Sequence, residues 1–171
     1  MDYIWTPWRY RYVTTGTDGQ ECIFCAKQKV PDRDSYVVFR GEHNFIMLNL
    51  FPYTSGHVMI APYAHIATLE GTEPATREEM IRLTARCETA LRGLYKPDGI
   101  NLGMNIGACA GAGVAGHIHM HVLPRWCGDA SFMSVISETR VLPEDLPVTW
   151  ERLKAALADL TTGKLEPFTN P

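Results

Sequence analysis

The sequence offers no apolar run long enough to cross a bilayer, and its opening, Met1 to Tyr12, breaks every short apolar stretch with charge or proline. These absences predict a chain with no membrane contact and no export signal, working in the cytoplasm. Charge of one sign is equally scarce. With 16 Lys and Arg against 19 Asp and Glu, the net charge is −3, too little for a protein held stably on nucleic acid by bulk electrostatics. Any anion must therefore be met by local groups. The 5 cysteines are odd in number, and in a chain expected to lack an export signal the close pair Cys22 and Cys25 favours metal binding over a disulfide framework. No repeat or low-complexity segment interrupts the 171 residues, whose 46% hydrophobic content is ample for a single core.

What is there is concentrated. Half of the 6 histidines, His117, His119 and His121, recur at alternate positions with apolar Ile118, Met120 and Val122 between them. On a strand this places three imidazoles on one face, roughly 6.6 Å apart, with a core face behind. The bland alternative is a half-buried strand with solvent-facing histidines. The functional reading is a row of groups able to serve as nucleophile, proton donor or metal ligand near neutral pH. A second cluster is the pair Cys22 and Cys25, whose spacing is that of a zinc half-site; nothing around it resembles a thioredoxin-like redox motif.

Around these clusters the pattern predicts five short strands. They cover Tyr36 to Arg40, Phe45 to Asn49, His57 to Ala61, Ile100 to Ile106, and the histidine run. Thr76 followed by Glu79 has the form of a capping box, and Met80, Leu83, Cys87, Leu91 and Leu94 recur at helical spacing up to Pro97, giving one long helix. A second helix is expected through Trp150, Leu153, Leu157 and Leu160, after the interruptions at Pro143 and Pro147. The reading is an α+β domain with a mainly antiparallel five-stranded sheet, one long helix and a C-terminal helix. It divides into an aromatic arm at 1–20, a main domain at 21–130 and an extension at 131–171 whose helix packs on that domain.

Between the fourth strand and the histidines lies a Gly/Ala-rich stretch from Gly107 to Gly116, including Gly111 and Gly113. Glycines let backbone approach a ligand closely, and successive N–H groups can cradle phosphate without basic side chains. Taken alone, such a stretch is equally an ordinary turn.

The run His117 to Leu123, with Asn49, the segment Gly56 to Pro62 and the small-residue loop in the matching order, resembles the histidine triad family over roughly residues 20 to 126. Trp5 to Arg9, Asn101 to Asn105 and Pro124 to Trp126 are most similar to its bacterial branch of diadenosine tetraphosphate phosphorylases and related adenylyltransferases. The resemblance implies a nucleotidyl transferase or hydrolase acting on a dinucleoside polyphosphate, and no organic cofactor. It makes His119 the nucleophile, with His121 and His57 in support. Asn49 would hold ribose, while Asn105 and the loop of Gly107, Gly111 and Gly113 would meet phosphate. Arg125 would face a distal phosphate and Trp126 a base or a subunit contact. His65 and His117 would complete a structural zinc site with Cys22 and Cys25. A homodimer is the family expectation, and the Trp5 and Trp8 arm raises a homotetramer as the alternative. Some phosphorylase-like relatives carry a hydroxyl where this chain has Ala112 and Gly113, which leaves phosphate and water both open as acceptor. A purine nucleoside phosphoramidase and a non-catalytic nucleotide-binding scaffold are the alternative readings.

Overall fold

The computed structural model describes residues 21–129 and 144–161. The expected aromatic arm at 1–20 lies outside them. Two short helices, α1 (Ile23–Gln28) and α2 (Asp32–Ser35), precede β1 (Val37–Arg40), β2 (Asn44–Leu48) and β3 (Val58–Pro62). The long helix α3 (Pro74–Tyr95), β4 (Gly99–Gly103), a 3-10 turn at Ala108–Ala110, β5 (Met120–Arg125) and α4 (Leu146–Thr161) follow. The strands form one sheet in the order β1-β2-β3-β5-β4, every pair antiparallel.

Alternation along the strands decides which residues face which layer. One face presents Ile46, Leu48, Val58, Ile60, Met120 and Val122 to Met80, Leu83, Cys87 and Leu91 of α3 and to Trp150, Leu153 and Leu157 of α4. This is the main core. The Trp150 indole N–H donates to the Val37 carbonyl at 2.8 Å, tying α4 to the first strand. A smaller cluster of Phe24, Val37, Phe45, Met47, Met59 and Ala61 fills the opposite face over the first three strands. Its α1 residue, Phe24, stops short of β4, so a cleft opens along β4 and the outer half of β5.

Three sequence expectations need correction. The capping box does not form: the cap is Glu73, Pro74 supplies the first turn, and Thr76 and Glu79 are buried inside the helix. The Glu79 carboxylate instead accepts the main-chain N–H groups of Glu42, His43 and Asn44, at 2.7, 2.7 and 2.8 Å, and the Asn44 amide at 2.9 Å. It closes the β1–β2 turn, a tertiary demand that local pattern cannot reveal. Pro147 does not interrupt α4 but lies in its first turn, where a missing N–H costs no hydrogen bond. Finally, the strand carrying the triad begins only at Met120. His117 and His119 precede it on irregular backbone, because Ile118 N–H is drawn to the Ile66 carbonyl at 2.7 Å rather than into the sheet. The two short helices within residues 23–35 have no counterpart among the elements the sequence pattern predicts.

Candidate functional site

The departure from strand geometry at His117 separates the two clusters chemically. The His117 ring turns toward the cysteines: its Nδ1 lies 3.4 Å from Cys22 Sγ and 3.7 Å from Cys25 Sγ, while His65 Nδ1 lies 3.3 Å from Cys25 Sγ. All four ligand atoms fall within 4.8 Å of one another. Tetrahedral zinc, with bonds of about 2.3 Å to sulfur and 2.0–2.1 Å to nitrogen, separates S and N by about 3.5 Å. The cluster matches that geometry and the nitrogen–sulfur donor set of a structural zinc. His117 Nε2 is 2.9 Å from the Pro62 carbonyl, the kind of outer contact that fixes a ligand imidazole with its other nitrogen free for metal.

His119 and His121 turn away from this cluster. Their ring centroids are 4.8 Å apart and edge-on, closer than a regular strand would set them. His119 is 4% exposed, under the Phe24 ring at a centroid distance of 4.7 Å. Its Nδ1–H donates to the His117 carbonyl at 2.8 Å, so the tautomer is set and Nε2 keeps its lone pair. Burial lowers the proton affinity of this ring, partly offset by the carbonyl contact. Burial, helped by His119, pushes the His121 pKa down to about 4. Both rings are neutral at physiological pH.

The third member is set from outside the triad. His57, buried immediately before β3, receives the Tyr53 main-chain N–H on Nδ1 at 3.1 Å, with the Asn49 amide nitrogen 3.3 Å from the same atom. With Nδ1 accepting, the His57 proton resides on Nε2, which donates to His121 Nδ1 at 2.9 Å. His121 must then carry its own proton on Nε2. The result is a bare nitrogen on His119 beside an N–H donor on His121: a nucleophile next to an acid or oxyanion donor.

The remaining candidates are distributed around this pair. Asn49, at the end of β2, accepts the Phe51 N–H on its side-chain oxygen at 3.0 Å besides reaching His57. Asn105 lies beyond the end of β4, where its amide ties the Gly/Ala loop by donating to the Gly111 carbonyl at 3.3 Å. Gly107 (φ 85°) and Gly111 (φ 88°) take conformations that only glycine adopts freely, while Gly113 lies past that tie, before the triad. Arg125 does not stand free: Asp129 takes its Nε and Nη2 at 2.5 and 2.8 Å, and Asn101 Oδ1 takes Nη1 at 2.9 Å. Trp126 packs edge-on to Tyr95, with centroids 6.5 Å apart. Sequence reading missed the Tyr53 N–H and the Pro62 carbonyl because they act through main-chain atoms, which leave no residue-type signal. It also missed Phe24, which reads as an ordinary apolar residue between two cysteines.

Comparison with known proteins agrees with this geometry. The HIT domain model matches residues 30–127, and the chain belongs to that family. An AP-4-A phosphorylase of Mycobacterium tuberculosis is 33% identical over 152 residues, covering 84% of this chain and 78% of its own length. A zinc-bound histidine triad family protein from Mycobacterium smegmatis is 34% identical, with TM-score 0.66 over 84% of this chain and 97% of its own. A hypothetical histidine triad nucleotide-binding protein from Sulfolobus tokodaii, at 24% identity, shares the fold with the same TM-score of 0.66 over 82% of this chain and 94% of its own. Among the described residues no helix is long and apolar enough to cross a membrane.

Proposed function

We propose that the protein transfers a nucleotidyl group from a dinucleoside polyphosphate, with diadenosine tetraphosphate the leading substrate, through a covalent intermediate on His119. The observation that carries this reading is the pair of assigned tautomers, a bare Nε2 on His119 and an Nε2–H on His121. The 33% identical AP-4-A phosphorylase adds weight to the substrate class.

In the first step the His119 lone pair attacks the α-phosphorus in line. The N–P bond forms, the phosphoanhydride P–O bond breaks, and its electrons leave on the departing nucleotide, whose oxygen is met by the His121 Nε2–H. In the second step an oxygen of phosphate or water displaces His119 from phosphorus. Asn49 serves the ribose, Asn105 and the loop of Gly107, Gly111 and Gly113 surround the phosphates, and His57 holds His121 in its donor tautomer. Cys22, Cys25, His65 and His117 would hold zinc, which, four-coordinate and closed, supplies structural rigidity to the first triad residue. A homodimer fits the outermost strand β4, whose Leu102 is 51% exposed.

The test is incubation with diadenosine tetraphosphate with and without inorganic phosphate, separating products by chromatography. ADP plus ATP requiring phosphate identifies a phosphorylase, and AMP plus ATP without it a hydrolase. His119→Ala should abolish either while leaving the circular dichroism spectrum unchanged. Quenched wild-type protein should carry the mass of one nucleotidyl group that the variant lacks. Wild-type rates in His119→Ala would remove the covalent mechanism.

A further inference from the structure

A cavity of about 930 Å³ among the described residues does not centre on the triad. It starts at His121 and runs away from Asn49 and His57, over the surface of β5 toward Arg125 and Trp126, bounded by the β2–β3 turn, β4 and the facing ends of α3 and α4. That volume is at the upper end of the range for small-molecule pockets. Resting on the reaction proposed above, we propose that this cleft receives the leaving nucleoside, so that the two halves of the substrate lie on opposite flanks of the His119–His121 pair.

Three features carry the argument. The first is direction. In-line displacement puts the leaving oxygen on the side of phosphorus opposite the attacking nitrogen. His119, the attacking residue, is sealed beneath Phe24 and does not line the cleft, whereas His121, whose Nε2 carries the donor proton, does. The second is reach. The alternate residues His121, Leu123 and Arg125 share the cleft face of β5 and span roughly 13 Å, enough for a polyphosphate to pass from His121 toward the far end.

The third is chemistry. The cleft contains two guanidinium groups, and each meets a carboxylate within it, Arg125 on Asp129 and Arg152 on Glu144. With its charges matched, the far end does not suit a free polyanion. Its rings do suit an uncharged aromatic heterocycle: Tyr53, stacked beside His121 at 6.4 Å, and Trp126 with Tyr95 at 6.5 Å. Ser55, on the same wall and 7% exposed, has a hydroxyl with no hydrogen-bond partner in the structure. Arg125 thereby changes role, from a direct ligand of a distal phosphate to a wall residue held by Asp129 and Asn101.

Gly103 offers a way to narrow the cleft at a residue that is not itself one of the catalytic groups. It pairs with His121 across the β4–β5 ladder and lines the cavity, and a Cβ added there would meet nothing within 4 Å. The experiment compares diadenosine tetraphosphate with adenosine 5′-phosphorofluoridate, which transfers the same group to His119 but releases only fluoride. Gly103→Leu should raise the KM for diadenosine tetraphosphate about tenfold, the scale of one lost base-stacking contact, and leave kcat/KM for the fluoridate within about twofold. Gly103→Ala should show a smaller effect of the same kind, and carries the test if the leucine variant does not fold. Equal losses on both substrates, or unchanged kinetics on both, would overturn the cleft assignment. Wild-type protein that turns over neither substrate would instead overturn the nucleotidyl-transfer reading, and this assignment with it.

Discussion

The main-chain carbonyl of His117 accepts the Nδ1–H of His119 at 2.8 Å, while the ring of His117 belongs to the cysteine cluster. One residue therefore joins the candidate metal centre to the candidate nucleophile. Its Nδ1 faces the sulfurs, its Nε2 meets Pro62, and its carbonyl selects the tautomer that leaves His119 Nε2 bare. The Ile118 N–H, bound to the Ile66 carbonyl, holds the step between the two histidines.

Disruption of the cluster should be felt first as stability and only then as rate. Cys22→Ser removes one of four candidate zinc ligands and leaves the hydrogen bonds of His119 and His121 in place. Purified wild-type protein should contain about one zinc per chain by atomic absorption, as four converging ligands imply. The variant should contain much less, melt several degrees lower, and lose far less turnover than His119→Ala. Wild-type protein purified without chelators and found free of zinc would refute the metal assignment.

How far the sequence could be read follows from where each signal resides. The alternation of His117, Ile118, His119, Met120, His121 and Val122 was legible because side-chain type and period are both local. So was the β sheet, since β2 and β3 are short apolar runs between turns. The strand boundary at Met120 was not, because the Ile118–Ile66 hydrogen bond that breaks the pattern joins segments far apart in sequence. Glu79 shows the same limit. Its spacing from Thr76 gives a sound local rule, overruled by three N–H groups from a turn 35 to 37 residues earlier. The Cys22–Cys25 half-site was legible by spacing, whereas its His65 and His117 half needed the family resemblance.

Glu79 also makes a prediction of its own. A buried carboxylate holding four donors becomes costly to disturb, since losing its partnership leaves main-chain N–H groups unsatisfied. Glu79→Gln replaces one acceptor oxygen with an amide NH2, a donor facing those donors, and should cost about 2–3 kcal/mol in urea unfolding at neutral pH. Turnover per folded molecule should not change. Gly41→Ala should injure the same turn from the other side, because its Cβ would lie 2.6 Å from a Glu79 oxygen and 2.9 Å from the Asn44 carbonyl. Burial raises the carboxyl pKa, but the hydrogen bonds from Asn44, Glu42 and His43 outweigh it and hold the group below the usual carboxylate range. Its stabilisation is thus complete above the unfolded-state value and lost as pH falls through the folded one. The gap between wild type and Glu79→Gln should narrow under acid conditions; a gap independent of pH would show that the carboxylate charge contributes nothing.

His121 should resist protonation. Its pKa of about 4, set by burial and by the neighbouring His119, lies below the value of an exposed imidazole. A histidine with a depressed folded pKa contributes stability that is present above the unfolded value near 6.5 and lost as pH falls toward 4. Its ring resonances should therefore stay at neutral positions through the range in which a free imidazole takes up its proton, as followed by NMR. Titration of His121 near 6.5 would mean that the ring is solvated and that the His57 contact does not fix its tautomer.

Asn49 distinguishes two roles that the structure places on one side chain. Its oxygen accepts the Phe51 N–H and its amide nitrogen approaches His57 Nδ1, so it both shapes the β2–β3 turn and supports the tautomer chain leading to His121. If the ribose hydroxyls are its main partner, Asn49→Ala should raise KM for diadenosine tetraphosphate and narrow the discrimination between ribose and 2′-deoxyribose substrates, with kcat little changed. The Tyr53 N–H, still 3.1 Å from His57 Nδ1, would keep the histidine chain in register. A fall in kcat at constant KM, with ribose discrimination intact, would reassign Asn49 as a positioning residue for His57 and place the ribose contact elsewhere.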